Sequence, residues 1–288
     1  MKRFSIVGAG RLGTALGAAL VRAGWQAEVL IDKDARAARE SRLIVGAGRA
    51  STRLAAAAKA KGTVLIAVPD DAVGAVAAGL ARAGGAWPGR DVFHTSGLLP
   101  AAVLAPLARR GARVASLHPA QTFPRKDTPS SAFKGITWGI EGEPEAAEAA
   151  AGIARRLGGH VLLLSAGDKA LYHAACALAS NALVALELTA VRVLSRVGLG
   201  EEAATQSLLP LVQGTLQNVK GLGLAKALTG PVLRGDIATV RRHLETLRAL
   251  PEARVVYVVL GRQILALAAR RGLPAAKVRS LKHLLEGR

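Results

Sequence analysis

The chain of 288 residues contains a single cysteine, Cys176. One thiol makes no disulfide framework and no cysteine zinc site. A reducing cytoplasm is therefore the expected compartment. Aromatic residues are scarce as well: two Tyr, four Phe and three Trp, 3% of the chain. A core has to be built from Ala, Leu and Val, and no extended platform for stacking nucleobases is available. Acidic residues are few, 20 Asp and Glu against 39 Lys and Arg, which leaves a net charge of +19. That excess predicts salt-dependent attraction for polyanions. The basic residues are scattered along the whole chain, so no specific nucleic-acid function is expected. Long uninterrupted apolar runs are missing. The most apolar stretches contain Asn181 and Glu187, or Arg262 and Gln263, and no membrane span is expected. The start Met1-Lys2-Arg3 imitates a signal peptide, but Arg11 interrupts the apolar run behind it. His160, His243 and His283 show no metal-ligand spacing, so no metal site is expected.

What the chain does have is glycine in a telling place. Gly8-Ala9-Gly10-Arg11-Leu12-Gly13 follows the apolar segment 3–7 and precedes a helical pattern carrying Leu16, Leu20 and Val21. Strand, G-x-G-x-x-G and helix in that order point to a dinucleotide-binding turn. Gly8 permits the tight turn, Gly10 lets a pyrophosphate approach the backbone, and Gly13 lets helix and strand pack closely. The amides and positive dipole end of the helix would face the phosphates. Asp32 ends the next apolar segment, nineteen positions after Gly13. A carboxylate there accepts from the adenosine ribose and repels a 2′-phosphate, which favours NAD. Lys33, Arg36 and Arg39 argue for NADP, unless they are a solvated helix face. The balance leans slightly to NAD.

Through residue 165, strand-like segments at 3–7, 27–31, 63–67, 91–95, 113–117, 135–140 and 160–164 alternate with Ala-rich helical ones at 12–23, 70–83, 99–110 and 144–157. That alternation predicts an α/β domain with a mostly parallel sheet over 1–165. After Ser165 no convincing strand remains. Residues 168–197 read as one long helix, followed by segments near 201–217, 220–228, 236–248, 251–271 and 274–285. An all-α domain is expected over 166–288, rich enough in Ala and Leu to build a homodimer.

Hydride chemistry belongs to the cofactor, and the protein must supply position, a proton and charge for the substrate oxygen. Open α/β sheets bind ligands beyond the carboxyl ends of their strands. Two strand ends there are polar. Val92-Phe93-His94-Thr95-Ser96-Gly97 offers the Ser96 hydroxyl, and Ser116-Leu117-His118-Pro119 offers His118 as an acid–base imidazole. Either histidine could instead be buried and satisfied by backbone, His94 more readily than His118. A third cluster opens the helical part. Ser165 and Asp168 fit a capping box, Lys169 follows, and His173 lies at i+4 on its face. Ser180 and Asn181 border the same stripe. The plain alternative is an exposed lysine and a packing histidine. Arg234 could hold an anionic substrate or pair with Asp236, and Cys176 reads as a small core residue.

Taken together, Gly8 to Gly13, Val68-Pro69-Asp70-Asp71, His94-Thr95-Ser96-Gly97, Ser116 to Phe123, Asp168-Lys169-Ala170-Leu171-Tyr172-His173 and Thr229-Gly230-Pro231 resemble a bacterial family. It joins a Rossmann-like NAD(P)-binding domain to a helical domain of unassigned function. The family is similar to the 6-phosphogluconate and β-hydroxyacid dehydrogenase group, with ketopantoate reductase, pyrroline-5-carboxylate reductase and prephenate dehydrogenase. The resemblance implies a Rossmann-type sheet, dimerisation through the helical domain, and cofactor contacts from Gly8, Gly10, Arg11, Leu12, Gly13, Asp32, Lys33, Val68, Pro69 and Ser96. It implies that Lys169 is the acid–base residue. His173 stands where that group has an asparagine. Ser96 and His118-Pro119 resemble the serine and histidine–proline of prephenate dehydrogenases.

The expected activity is NAD(P)-dependent hydride transfer to or from a small anionic 2-oxo or hydroxy acid, with ketopantoate the first candidate. Lys169 or His118 would exchange the proton, while Ser96 and Asn181 orient the substrate with His173 beside them. The rival expectation is a binding protein that senses NAD(P)(H) without turnover and engages a partner or nucleic acid through its basic surface.

Overall fold

A computed structural model describes residues 1–287. The chain divides into two compact units, Met1–Ser180 and Asn181–Arg288. The first holds an eight-stranded sheet, built from β1 (Arg3–Val7), β2 (Gln26–Ile31), β3 (Arg49–Ser51), β4 (Thr63–Ile66), β5 (Asp91–His94), β6 (Arg113–Pro119), β7 (Thr137–Gly142) and β8 (His160–Leu163). Their order across the sheet is β3-β2-β1-β4-β5-β6-β7-β8. Every pair is parallel except β6–β7, which is antiparallel.

The central strands are apolar on both faces because helices cover both. The helices are α1 (Arg11–Arg22), α2 (Ala35–Val45), α3 (Leu54–Ala58), α4 (Asp70–Arg82), α5 (Ala105–Ala108), α6 (Pro144–Arg156) and α7 (Lys169–Ala179). Side chains alternate between faces along a strand, and the core divides accordingly. Phe4 and Ile6 of β1, Leu30 of β2 and Leu65 of β4 pack with Leu16 and Leu20 of α1 and Ile153 of α6. Val7, Val29, Val64 and Ile66 point the other way, toward Leu80 of α4 and Leu107 of α5. Three strands adjacent in the sheet, β2, β1 and β4, thus supply both layers from neighbouring residues.

The second unit is helical: α8 (Asn181–Leu194), α9 (Glu201–Ala227), α10 (Pro231–Arg234), α11 (Ile237–Thr246), α12 (Pro251–Arg270) and α13 (Ala275–Glu286). Its core is small, with Val232, Val240, Leu244, Leu265, Leu281 and Leu285 buried together. The β-branched run Val255-Val256-Tyr257-Val258-Val259 lies inside α12, as the longer helical pattern requires.

Three expectations need correction. The stretch 168–197 is broken at Ser180, where φ is −119° and ψ −69°. Ser and Asn side chains compete for backbone hydrogen bonds, and Ser180-Asn181 is where α7 gives way to α8. The segment 99–110 is only a 3-10 turn, Ala101–Leu104, and the single turn of α5. Finally, Ala166–Val197 contains 18 consecutive residues of mean hydropathy 1.7, enough to qualify as a membrane span by length and composition. Asn181 and Glu187 do not disqualify it, because so apolar a run tolerates both. The division at Ser180 also assigns α7 to the sheet unit by its contacts, whereas the sequence pattern changes at Ser165.

Candidate active site

The glycine turn follows β1, at the carboxyl edge of the parallel strands. Gly8 has φ +106°, and a Cβ there would lie 2.3 Å from the Ala67 carbonyl oxygen and 2.9 Å from Val68. At Gly13 a Cβ would lie 2.0 Å from the Gly8 carbonyl oxygen. Both positions therefore require glycine, one for conformation and one for close packing. Gly10 differs: nothing lies within 4 Å of where its Cβ would be. It also caps α1 without a side-chain hydrogen bond, so the first amides of α1 stay available to a ligand. This open cradle at a helix N-terminus fits a dinucleotide pyrophosphate. Arg11 is exposed and Leu12 half-buried beside it.

Asp32 is bound to the same turn. One of its carboxylate oxygens accepts from the Ala9 N–H at 2.9 Å and the other from the Asp34 N–H at 3.0 Å. Asp34 then caps α2 through the Arg36 N–H. Lys33, Arg36 and Arg39 are exposed beyond it. Val68 and Pro69 continue from β4 and flank the turn, Val68 through its contact at Gly8.

The same carboxyl edge carries the second cluster. β4, β5 and β6 run parallel with β1, so Ser96 after β5 and His118 near the end of β6 lie on it. Lys169, the first residue of α7, is only 1% exposed. Its Nζ donates to the Ser96 carbonyl at 2.9 Å and to the Ser116 hydroxyl, which itself donates to the Ser96 carbonyl at 3.1 Å. A lysine in the first turn of a capped helix would ordinarily point to water. Here the Asp168 carboxylate accepts from the Ser165 N–H and hydroxyl, which starts the helix so that Lys169 enters the sheet edge. Burial lowers the Lys169 pKa to about 8, although the Glu141 and Asp70 carboxylates oppose that fall.

His118 uses Nδ1 for the Tyr172 hydroxyl, 2.9 Å away. Its ring stands edge-on to Tyr172 and to His173, with centroids 5.5 and 6.0 Å apart. Burial lowers its pKa to about 4, helped by the charge of Lys169 and by His173. His118 is thus a neutral imidazole at physiological pH. Two glycines admit this group. A Cβ at Gly97 would lie 2.6 Å from His173 and 3.0 Å from His118 Nε2, and one at Gly139 would lie 2.6 Å from the Tyr172 ring.

Ser96 is 6% exposed, and its hydroxyl oxygen accepts from the Leu98 and Leu99 N–H groups at 3.1 and 2.9 Å. That leaves its proton to donate. His94 is satisfied by backbone: Nδ1 accepts from the Ser96 N–H at 3.2 Å, and Nε2 lies 3.3 Å from the Pro100 carbonyl. It is a structural residue that shapes the turn bearing Ser96. Burial, then Lys169, holds its pKa near 4.

The sheet unit therefore gathers Ser96, His118, Lys169 and His173. Asn181 opens α8 in the other unit. Tyr172 and Ser116 were not foreseen as site residues. Tyr172 directly precedes His173, and its presence in a chain with two tyrosines was the available signal.

Comparison with known proteins finds two matched regions along the chain. Residues 2–119 match a Rossmann-like domain, and residues 136–264 match a domain of unknown function, DUF2520. No curated protein matches the chain in sequence. A Thermotoga maritima protein of solved structure is 24% identical with a TM-score of 0.73, over 93% of this chain and 99% of its own. A Bacteroides fragilis protein, provisionally described as an NADP oxidoreductase, is 26% identical with a TM-score of 0.73, over 91% and 97% of the two chains. Plasmodium falciparum pyrroline carboxylate reductase, solved with NADP bound, is 13% identical with a TM-score of 0.58, over 98% of each chain. The chain carries a Rossmann-like domain followed by a helical domain of unassigned function.

Proposed function

We propose that the protein is an NAD(P)-dependent oxidoreductase acting on a small anionic carbonyl or hydroxy compound. One observation carries this reading: a neutral His118–Tyr172 pair beside a buried Lys169, on the sheet edge that also bears the open Gly10 cradle. Likeness to the Bacteroides and Plasmodium proteins supports it. A bound nicotinamide supplies or accepts the hydride. Gly8, Gly10 and Gly13, with the α1 amides, would hold its phosphates. Asp32 would take the adenosine ribose, which favours NAD slightly over NADP.

His118 is the group that exchanges the substrate proton. Its Nε2 faces Gly97 while Nδ1 is held by Tyr172, so the hydroxyl fixes the ring orientation. In the oxidative direction Nε2 takes the proton of the substrate hydroxyl as the carbon loses hydride. In the reductive direction Nε2 first takes a proton from solvent and delivers it to the substrate oxygen as hydride reaches the carbon. Lys169 is better placed as a fixed charge than as the proton donor, since Ser96 and Ser116 hold its ammonium inside the protein. It favours neutral imidazoles and draws an anionic substrate, which Ser96 would orient. Ketopantoate is the first substrate of this class to assay, with cyclic imines as the contrasting set.

Turnover of NADH and NADPH with 2-oxo acids and imines tests the proposal. His118→Ala should lower kcat by roughly 10²–10⁴, and Tyr172→Phe by less, with cofactor affinity kept. Wild-type kcat in His118→Ala removes the assigned proton path. Tight cofactor binding without turnover on any substrate would favour a sensor of nicotinamide cofactors instead.

We also propose that residues 166–288 assemble a homodimer and that the protein works in a reducing compartment. Support for the dimer comes from the exposed leucines and valines of the helical unit, and for the compartment from the lone, half-buried Cys176.

A further inference from the structure

The excess of positive charge is not explained by a dinucleotide site, and one part of the sheet unit concentrates it. At the amino edge of the strands lies a cleft of about 710 Å³, lined among others by Lys2, Arg3, Trp25, Lys59, Lys61 and Arg90. That volume suits a small molecule. The glycine turn begins at the other end of β1, five residues away, or about 17 Å at 3.3 Å per residue.

The wall of this cleft is built rather than loose. Arg90 is buried, and its guanidinium donates to two carbonyls at the end of α3, Ala57 at 2.8 Å and Ala58 at 3.0 Å, and to one in the turn after it, Gly62 at 2.7 Å. Its other side lies over the Trp87 ring, 4.9 Å from the centroid. The amides of the turn after α3 are also engaged, since the Glu28 carboxylate accepts from Lys61 N–H at 3.1 Å and Gly62 N–H at 2.8 Å. The backbone carrying Lys59 and Lys61 is thereby fixed from both sides. Gly62 is needed for this fit, because a Cβ there would lie 2.2 Å from the Arg3 carbonyl oxygen.

The charges on that frame are left uncompensated. Glu28 is occupied by backbone amides and lies 3.9 Å from Arg3, and Asp91 is bound by Arg113 at 2.7 Å. Among the described residues, Lys2, Lys59 and Lys61 form no ion pair. Lys2 instead stands over the Trp25 ring, 5.2 Å from its centroid. Three unpaired ammoniums around one concavity repel one another, and a monoanion neutralises only one of them. An ammonium is a point charge that binds phosphate oxygens without demanding the planar fit of a carboxylate.

We propose that this cleft binds a small molecule bearing linked phosphates, independently of the dinucleotide turn. Nucleic acid is the poorer fit, because Trp25 is nearly buried beneath Lys2 and offers no open face for stacking. Calorimetric titration of the full chain, saturated with NADPH, uses inorganic triphosphate and ATP as probes. Saturable binding at one site per chain is expected, weakened at least tenfold by the pair Lys59→Ala and Lys61→Ala. The pair Arg241→Ala and Arg242→Ala, on α11, should leave it unchanged. Equal affinity for the two probes assigns recognition to the phosphates alone, and tighter ATP adds the nucleoside. NADPH affinity and melting temperature should be unaltered in both pairs. No saturable binding, or binding that the Lys59 and Lys61 pair leaves intact, overturns the proposal. So does a single-stranded oligonucleotide that outcompetes triphosphate in a Lys59- and Lys61-dependent manner.

Discussion

The two units spend their apolar residues differently. In the sheet unit, Phe4, Ile6, Leu16, Leu20, Leu30, Leu65 and Phe93 are all fully buried. In the helical unit, Leu211, Leu224, Val184 and Val255 are 69%, 74%, 69% and 63% exposed. The central strands complete their core within the sheet unit, because helices cover them on two faces, while Leu163 of β8 and Leu171 and Leu178 of α7 are left exposed at its margin. The other unit leaves many leucines and valines exposed along its helices. Helix α9 contributes most visibly: Pro210 lies inside it, and Gly223 interrupts it with φ +76° and ψ +162°. A cleft of about 590 Å³ beside it is lined by Leu211, Leu224 and Leu267. The sheet unit meanwhile buries polar groups instead, among them Lys169, His94, Ser96 and Ser116. Burial there serves the proposed site, whereas the exposed side chains of the helical unit are those the proposed homodimer would cover.

The contrast can be tested first where burial is costliest. His94 and His118 titrate near 4 in the folded chain against 6.5 when unperturbed. Between those values the unfolded chain binds more protons than the folded one. Stability is therefore complete above pH 6.5 and lost as pH falls through 4. At 1.36 kcal/mol per unit, each ring contributes up to ~3 kcal/mol to that loss. His94→Gln should flatten the fall in melting temperature between pH 6.5 and 4, and an unchanged slope would show that the buried imidazole is not its source.

On the helical side, Leu211→Arg with Leu224→Arg places two charges in the apolar cleft. Dimer dissociation should rise at least about a hundredfold, or ~2.7 kcal/mol, with the helical content retained. Light scattering that finds a wild-type monomer at micromolar concentration would remove the stated reason for the exposed leucines.

Smaller effects belong to the cofactor turn. Gly10→Val puts a side chain in the open cradle without touching neighbouring protein, so folding should be normal. NAD(P)H affinity should fall about tenfold, ~1.4 kcal/mol, by fluorescence titration. The smallest shift is expected for Asp32→Ser, a few-fold relaxation toward NADPH. A wild-type protein that already prefers NADPH by tenfold or more would transfer the choice to Lys33 and Arg36.

Sequence made some of this legible and not the rest, for physical reasons. The glycine turn was readable because its main constraints are local: the positive φ of Gly8 and the close approach of Gly13 to the Gly8 carbonyl. The capping box at Ser165 and Asp168 was readable for the same reason. β3 was not, since Arg49-Ala50-Ser51 has neither length nor apolar alternation. The reversal at β7 was not either, because strand direction is set by how the chain returns and not by the residues of the strand. The burial of Lys169 depends on the carbonyl of Ser96 and the hydroxyl of Ser116, 73 and 53 residues away. No pattern within one helix reports partners that distant. Its exposed alternative was correspondingly plausible from sequence and is wrong in the structure.

The two glycines that admit α7 constrain how this protein can change over time. Gly97 makes room for His173 and His118, and Gly139 for the Tyr172 ring. A methyl group at either place collides with the side chain that would do the chemistry. Drift at these glycines is therefore tied to drift at the aromatic and imidazole positions opposite. Among relatives, alanine at the place of Gly139 should coincide with a residue smaller than tyrosine at 172. Alanine at 97 should coincide with a smaller residue at 173. Chains that keep the bulky partner while losing the glycine should have abandoned this placement of the helix, and with it the proton path.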